Sequence, residues 1–165
     1  MSRLEGFPPI AAAHAHTLIL GSMPGAASLA AGQYYAHPRN GFWPIVCAVL
    51  NIDPAEPYSD RARQLAERGY ALWDVLGACR RRGSLDADIE AESTEINDFA
   101  GFFATHPGVT RIFFNGGTAE TFFRRHVWPQ LSEQAGVTLW RLPSTSPANA
   151  SWSFADKLAA WKEIA

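Results

Sequence analysis

The sequence predicts an α/β domain of three layers, a central four-stranded parallel sheet flanked by helices, and three observations carry that prediction. Four short apolar runs recur along the chain: Thr17–Leu20, Tyr70–Leu76, Thr110–Phe114 and Val137–Leu142. They lack clean alternation, as strands buried on both faces do. Each ends on a turn signal: Gly21, Gly77, Asn115-Gly116-Gly117 and Pro143. The intervals between them are long enough for crossover helices, and strands alternating with helices build a parallel sheet.

In chain order, residues 1–16 read as an extended leader before the first strand. A helix is expected over Phe42–Leu50, entered through Asn40, with Pro44 in the first turn, where its missing N–H costs nothing. Ser59–Arg68 reads as an exposed helix with Ser59 as N-cap and Gly69 just past its end. Glu95–Thr105 alternates acids and aromatics at helical spacing, with Thr94 as a cap. Thr118–His126 and Phe154–Ile164 complete the helices.

At 165 residues, against about 150 per domain, one domain over 1–165 is expected. With 47% hydrophobic and 18% charged residues the chain can bury a core, unlike a disordered segment. Cys47 and Cys79 are too few for a disulfide scaffold or a thiolate zinc site. The five histidines show no zinc spacing with carboxylates apart from His14-x-His16, so no metal and no cofactor is expected. No apolar run approaches the roughly 20 residues of a membrane span, and the N-terminus lacks a basic-then-apolar secretion signal. A reducing, cytoplasmic setting is therefore expected. The net charge of −2 argues against a protein coated in positive charge, while leaving local basic faces at Arg80-Arg81-Arg82 and Arg124-Arg125-His126 open.

In parallel sheets the ligand sits beyond the carboxyl ends of the strands. That rule selects four segments: Gly21–Gly25, Asp74–Arg82, Asn115–Gly117 and Pro143–Asn149. Gly21-Ser22-Met23-Pro24-Gly25 has glycines at both ends, which permit a sharp turn and close approach of a ligand. It is neither a Walker loop nor a dinucleotide fingerprint. Taken alone it is as well explained by a structural turn. Pro143-Ser144-Thr145-Ser146-Pro147 places hydroxyls that can donate to phosphate oxygens between prolines that limit the loop's freedom, although by itself an ordinary rigid surface loop explains it better.

Taken together, LILGSMPG, QYYAHPRNGFW and LPSTSPAN resemble the paired motifs of the uracil-DNA glycosylase superfamily, and specifically its DNA-deoxyinosine (hypoxanthine-DNA) glycosylase branch. The resemblance runs from about Thr17 to Trp161. It implies a uracil-DNA glycosylase-like fold and a monofunctional repair enzyme acting on DNA with a damaged or mispaired base; a monomer is expected. The implied reaction is hydrolysis of the N-glycosidic bond of deoxyinosine. Alternatives are a uracil or mismatch glycosylase on the same scaffold, or a non-catalytic nucleic-acid-binding module.

Classical members carry a water-activating Asp or Asn where this chain has Met23, which can neither accept a proton nor orient water. In the hypoxanthine branch that job falls to the asparagine of Asn-x-Phe-Trp, here Asn40, which also suits a helix cap. A weak base suffices where the transition state is oxocarbenium-like. The main requirement is then a set of donors for the departing purine, and Gly21, Ser22, Met23, Pro24 and Gly25 supply that segment. One such donor is worth about 3 kcal/mol. Phe42 is the first expectation for stacking on a flipped base, with Tyr35 second and core packing the competing explanation; Trp43 is expected in the core. Asp74 is placed to accept from hypoxanthine N1–H, or to cap or pair. Asn115 lines the pocket or turns into the next helix. Arg80, Arg81 and Ser84 are expected on phosphates, with Ser144, Thr145 and Ser146, while Pro147 or a neighbour fills the vacated stack. His37 binds phosphate or fixes the turn with Pro38.

Overall fold

The computed structural model describes residues 2–131 and 136–165. Met1, the first residue of the expected leader, lies outside them. Among the described residues, seven strands and six α-helices follow one another: β1 (Arg3–Glu5), β2 (Thr17–Gly21), α1 (Ala26–Ala31), α2 (Phe42–Leu50), α3 (Tyr58–Glu67), β3 (Tyr70–Asp74), β4 (Leu76–Arg80), β5 (Glu95–Ile96), α4 (Phe99–Thr105), β6 (Arg111–Asn115), α5 (Gly117–His126), β7 (Thr138–Leu142) and α6 (Phe154–Trp161).

The predicted parallel sheet is present, in the order β3-β2-β6-β7. The inner strands β2, β3 and β6 are apolar along their middles because both faces are covered, while the edge strand β7 is largely exposed. Leu18, Leu20, Ala71, Trp73, Ile112 and Phe114 pack with Phe99, Phe102, Ala119 and Phe123 from α4 and α5. The alternating positions Ile19, Tyr70, Leu72 and Phe113 pack with Phe42, Trp43, Leu65 and Trp161 from α2, α3 and α6. Side chains of period two thus feed two separate cores from one sheet.

Four expectations need correction. Tyr70–Leu76 is not one strand: the chain leaves the parallel sheet at Val75, whose N–H donates to the Gly21 carbonyl at 2.9 Å. It then joins a second, antiparallel sheet of order β1-β4-β5. The leader is not merely extended, since Arg3–Glu5 pairs with β4 and Ile10 bridges Leu72. Glu95–Thr105 is split, because Glu95–Ile96 is drawn into that second sheet; the helix begins at Phe99, capped by Asp98, which accepts from the Gly101 N–H at 2.9 Å, while Thr94 donates to the Ala91 carbonyl. Finally, α3 starts one residue before Ser59, with Pro57 at the cap position.

Candidate active site

β2 is flanked by β3 and β6, which follow it in the chain on opposite sides, so the strand order reverses there and a crevice opens at the carboxyl ends. A cleft of about 1010 Å³ occupies that position. All four segments selected from the sequence contribute residues to its wall.

The Gly21–Gly25 turn forms one side. The Gly21 and Ser22 carbonyls accept from the Val75 and Leu76 N–H groups at 2.9 and 3.1 Å. The Met23 and Gly25 N–H groups make no backbone hydrogen bond among the described residues. The turn therefore spends its acceptors on the fold and keeps donors in reserve. The Met23 side chain is buried with Leu76 and Cys79 and offers the cleft no polar atom. Gly21 is sterically required: a Cβ there would overlap Asp74 Oδ1 and lie 2.7 Å from the Tyr35 hydroxyl.

Asn40 lines the cleft, half-buried. Its Oδ1 accepts from the Phe42 N–H at 2.9 Å, capping the start of α2. An amide has a second oxygen lone pair and an NH₂ group, which leaves capacity to hold a water. His37 also lines the cleft, and its Nδ1 accepts from the Arg39 N–H at 3.0 Å, which fixes the turn and leaves Nε2 as the protonated nitrogen of the neutral ring.

The expected stacking order is reversed. Phe42 is fully buried and absent from the cleft wall. It stacks behind Tyr35, ring centroids 4.0 Å apart and planes 18° apart, and Tyr35 is the ring that lines the cleft. Tyr35 has φ of 56°, an unusual conformation for a side chain of this size. Trp43 lies in the core as expected, donating from Nε1 to the Tyr34 carbonyl at 2.9 Å.

Asp74 and Asn115, both expected in the base pocket, differ sharply. Asp74 is 4% exposed, and its Oδ2 and the Tyr35 hydroxyl are buried without hydrogen-bond partners. Burial and, secondarily, the charge of Asp86 push the Asp74 carboxyl up to about 7, with Arg81 opposing. The same burial raises the Tyr35 phenol. Asn115 instead holds Thr145 with both ends of its amide: Nδ2 donates to Thr145 Oγ1 and Oδ1 accepts from the Thr145 N–H, each at 2.9 Å. Beside it, Gly116 at φ of 95° brings the backbone against Ser144, where a Cβ would come to 3.1 Å.

The basic segment also divides. Arg81 is 3% exposed and donates from Nη2 to the Pro24 carbonyl at 2.5 Å and from Nε to the Gly83 carbonyl at 3.1 Å. Its burial withdraws it from phosphate contact and makes it a clamp on the Gly21–Gly25 turn. Arg80 is exposed but lies off the cleft wall. Thr145, 1% exposed, is likewise withdrawn. The Ser144 and Ser146 hydroxyl oxygens accept from the Ser146 and Ala148 N–H groups at 3.2 Å each, so their protons remain available to an acceptor. Pro147 is exposed beside them.

The sequence reading missed Leu85, Asp86, Trp140, Arg141 and Trp152 in the cleft wall. Ser84, expected on phosphate, accepts from the Ala26 N–H at 2.8 Å, and Ser22 donates to Asp86 Oδ1 at 2.7 Å. No local pattern marks these residues; the fold brings residues 84–87 back over the first turn. No cluster of three or more potential metal ligands occurs among the described residues, and no described helix is long and apolar enough to cross a membrane.

Comparison with known proteins places this geometry. The chain is 35% identical over 150 residues, 90% of each chain, to a protein named hypoxanthine DNA glycosylase from Methanosarcina acetivorans. It is 37% identical over 113 residues, 68% of this chain and 70% of the relative, to one of the same name from Methanosarcina barkeri. A solution NMR structure of a candidate uracil DNA glycosylase from Methanosarcina acetivorans superposes with a TM-score of 0.78 at 31% identity, covering 99% of both chains. The family model for the uracil DNA glycosylase superfamily matches residues 8–165, and the chain belongs to that superfamily.

Proposed function

We propose that this protein is a monofunctional DNA glycosylase that hydrolyses the N-glycosidic bond of deoxyinosine, releasing hypoxanthine and leaving an abasic site. One observation carries the reading: the Gly21–Gly25 turn, with buried Met23 where the superfamily's carboxylate or amide would stand, shares a cleft with Asn40. Both curated relatives bear a hypoxanthine DNA glycosylase name.

The target base must leave the stack, at a cost of a few kcal/mol that is smaller for a mispaired base. In the cleft the Tyr35 ring, backed by Phe42, faces it. As the C1′–N9 bond lengthens, its electron pair moves onto the purine, and the Met23 and Gly25 N–H groups meet that charge. Water held by Asn40 then adds to C1′ and yields its proton to solvent or to the departing base. Little general-base strength is needed, because the sugar is already cationic when water arrives. Asp74 in its ionised form accepts from hypoxanthine N1–H, a proton adenine lacks. Ser144 and Ser146 donate to the flanking phosphates. The reading includes one domain over the whole chain, a monomer, no cofactor and a reducing compartment for the free thiols of Cys47 and Cys79.

Uracil is the second substrate to test, because its N3–H would satisfy Asp74 as well. Duplexes containing inosine, xanthine or uracil, incubated with enzyme and then treated with alkali, rank the bases. Asn40→Ala should abolish cleavage in single turnover while leaving duplex binding within a few-fold. Full cleavage by that variant removes Asn40 from the chemistry.

A further inference from the structure

Leu85 is 51% exposed, yet it belongs to the cleft wall, and both of its neighbours are tied down. Ser84 Oγ accepts from the Ala26 N–H at 2.8 Å, and Asp86 Oδ1 accepts from the Ser22 hydroxyl at 2.7 Å. Leu85 itself is extended, φ −83° and ψ 134°. In an extended segment the side chains before and after a residue share one side and its own takes the other. Ser84 and Asp86 are thus turned onto the first turn, and Leu85 is presented away from it. Arg81 reinforces the arrangement by holding the Pro24 and Gly83 carbonyls together. The Leu85 carbonyl accepts from the Asp88 N–H at 3.0 Å, closing the segment on itself.

An exposed leucine is ordinary by itself; what sets Leu85 apart is that it is held on a fastened loop at the cleft. On the lip of a base-sized cleft in a DNA glycosylase family, the apolar surface at hand is the face of a stacked base. Proteins that unstack DNA insert rigid apolar wedges of this kind. We propose that Leu85 is a wedge that enters the base stack beside the flipped nucleotide, from a segment of the cleft wall separate from the Ser144–Pro147 loop. This inference rests on the glycosylase reading and adds a second point of entry into the duplex.

A wedge matters only where there is a stack to open. The test compares single-turnover release of hypoxanthine from single-stranded DNA, from a weakly paired inosine duplex and from an inosine–cytosine duplex. Leu85→Ala should leave the single-strand rate within about twofold and lower the inosine–cytosine rate tenfold or more, with the weak pair between. Leu85→Met should recover most of the loss. A 2-aminopurine beside the inosine should brighten with the wild type and fail to brighten with Leu85→Ala. Equal losses on single and double strands, or no loss on either, overturn the wedge. Absence of release by the wild type on every inosine substrate overturns the glycosylase reading instead.

Discussion

Two polar pairs stand at neighbouring strand exits of this cleft, and they have opposite fates. Asn115 and Thr145 satisfy one another through two hydrogen bonds of 2.9 Å. Asp74 and Tyr35 crowd the same glycine, and each leaves an oxygen buried without a partner. The first pair is a rivet that fastens the proline-serine loop to the sheet. The second is held unsatisfied by its surroundings, with Tyr35 at φ of 56° and Phe42 stacked behind it. Buried polar atoms are nearly always paired in folded proteins. A site that leaves two of them open has stored binding capacity, whereas the Asn115–Thr145 pair has already committed one bond at each end of its amide to the fold. Proximity to the cleft therefore does not by itself separate structural from ligand-reading residues; an unpartnered buried oxygen on the cleft wall does, unlike the equally unpartnered Arg81 Nη1, which lies off that wall.

The sharpest way to break the comparison is at Asp74. Asp74→Asn should lower hypoxanthine release about a hundredfold, in line with the loss of one well-placed polar contact in a water-excluded site. Wild-type activity on inosine should rise with pH through about 7, as the carboxyl becomes an acceptor; a fall over that range would make Asp74 a donor. Stability should move the other way. The folded state binds this proton more tightly than the unfolded chain, so the group's contribution is complete below about 4 and is lost as pH rises through about 7. Asp74→Asn should therefore raise the melting temperature at pH 8, relieving up to roughly 4 kcal/mol, and change it little at pH 4.

Asn115→Ala tests the rivet. It removes two hydrogen bonds and strands the buried Thr145 N–H, so urea unfolding should show a loss of about 2–3 kcal/mol. Release of base per folded molecule should fall far less than for Asp74→Asn. The smallest effect is expected at Tyr35→Phe. Removing an unpartnered hydroxyl should leave stability unchanged or raised by about 0.5–1 kcal/mol, with a several-fold loss of inosine cleavage. A clear drop in melting temperature would show that the hydroxyl is satisfied and that the two pairs are alike.

Much of the fold could be read from the chain. Leu18–Leu20 and Ile112–Phe114 are apolar on both faces of the pleat because two cores claim them, and that composition is visible without coordinates. The break at Val75 was not. Tyr70–Leu76 contains no polar break except Asp74, and only the antiparallel pairing of Leu76–Arg80 with β1 and β5 draws its end into a second sheet. The same sheet claims Glu95–Ile96 from what local spacing marks as a helix, a case of tertiary pairing overriding periodicity.

For the site, sequence order alone selected the four strand exits, since a parallel sheet puts its ligand at the carboxyl ends. The family resemblance pointed to Asn40 and Asp74, and the paired glycines to the Gly21–Gly25 turn. What these left undecided was which polar groups are spent. Arg81 and Arg80 are adjacent and identical in type, yet one is a buried clamp and the other is exposed. Phe42 and Tyr35 are both aromatic, and only packing decides which ring faces the cleft. Composition and spacing determine what a residue is able to do, because those are properties of the side chain. Whether its hydrogen bonds are already taken, and whether water or substrate can reach it, depends on neighbours 30 to 57 positions away, such as Thr145 for Asn115 and Pro24 for Arg81; only the folded chain brings them together.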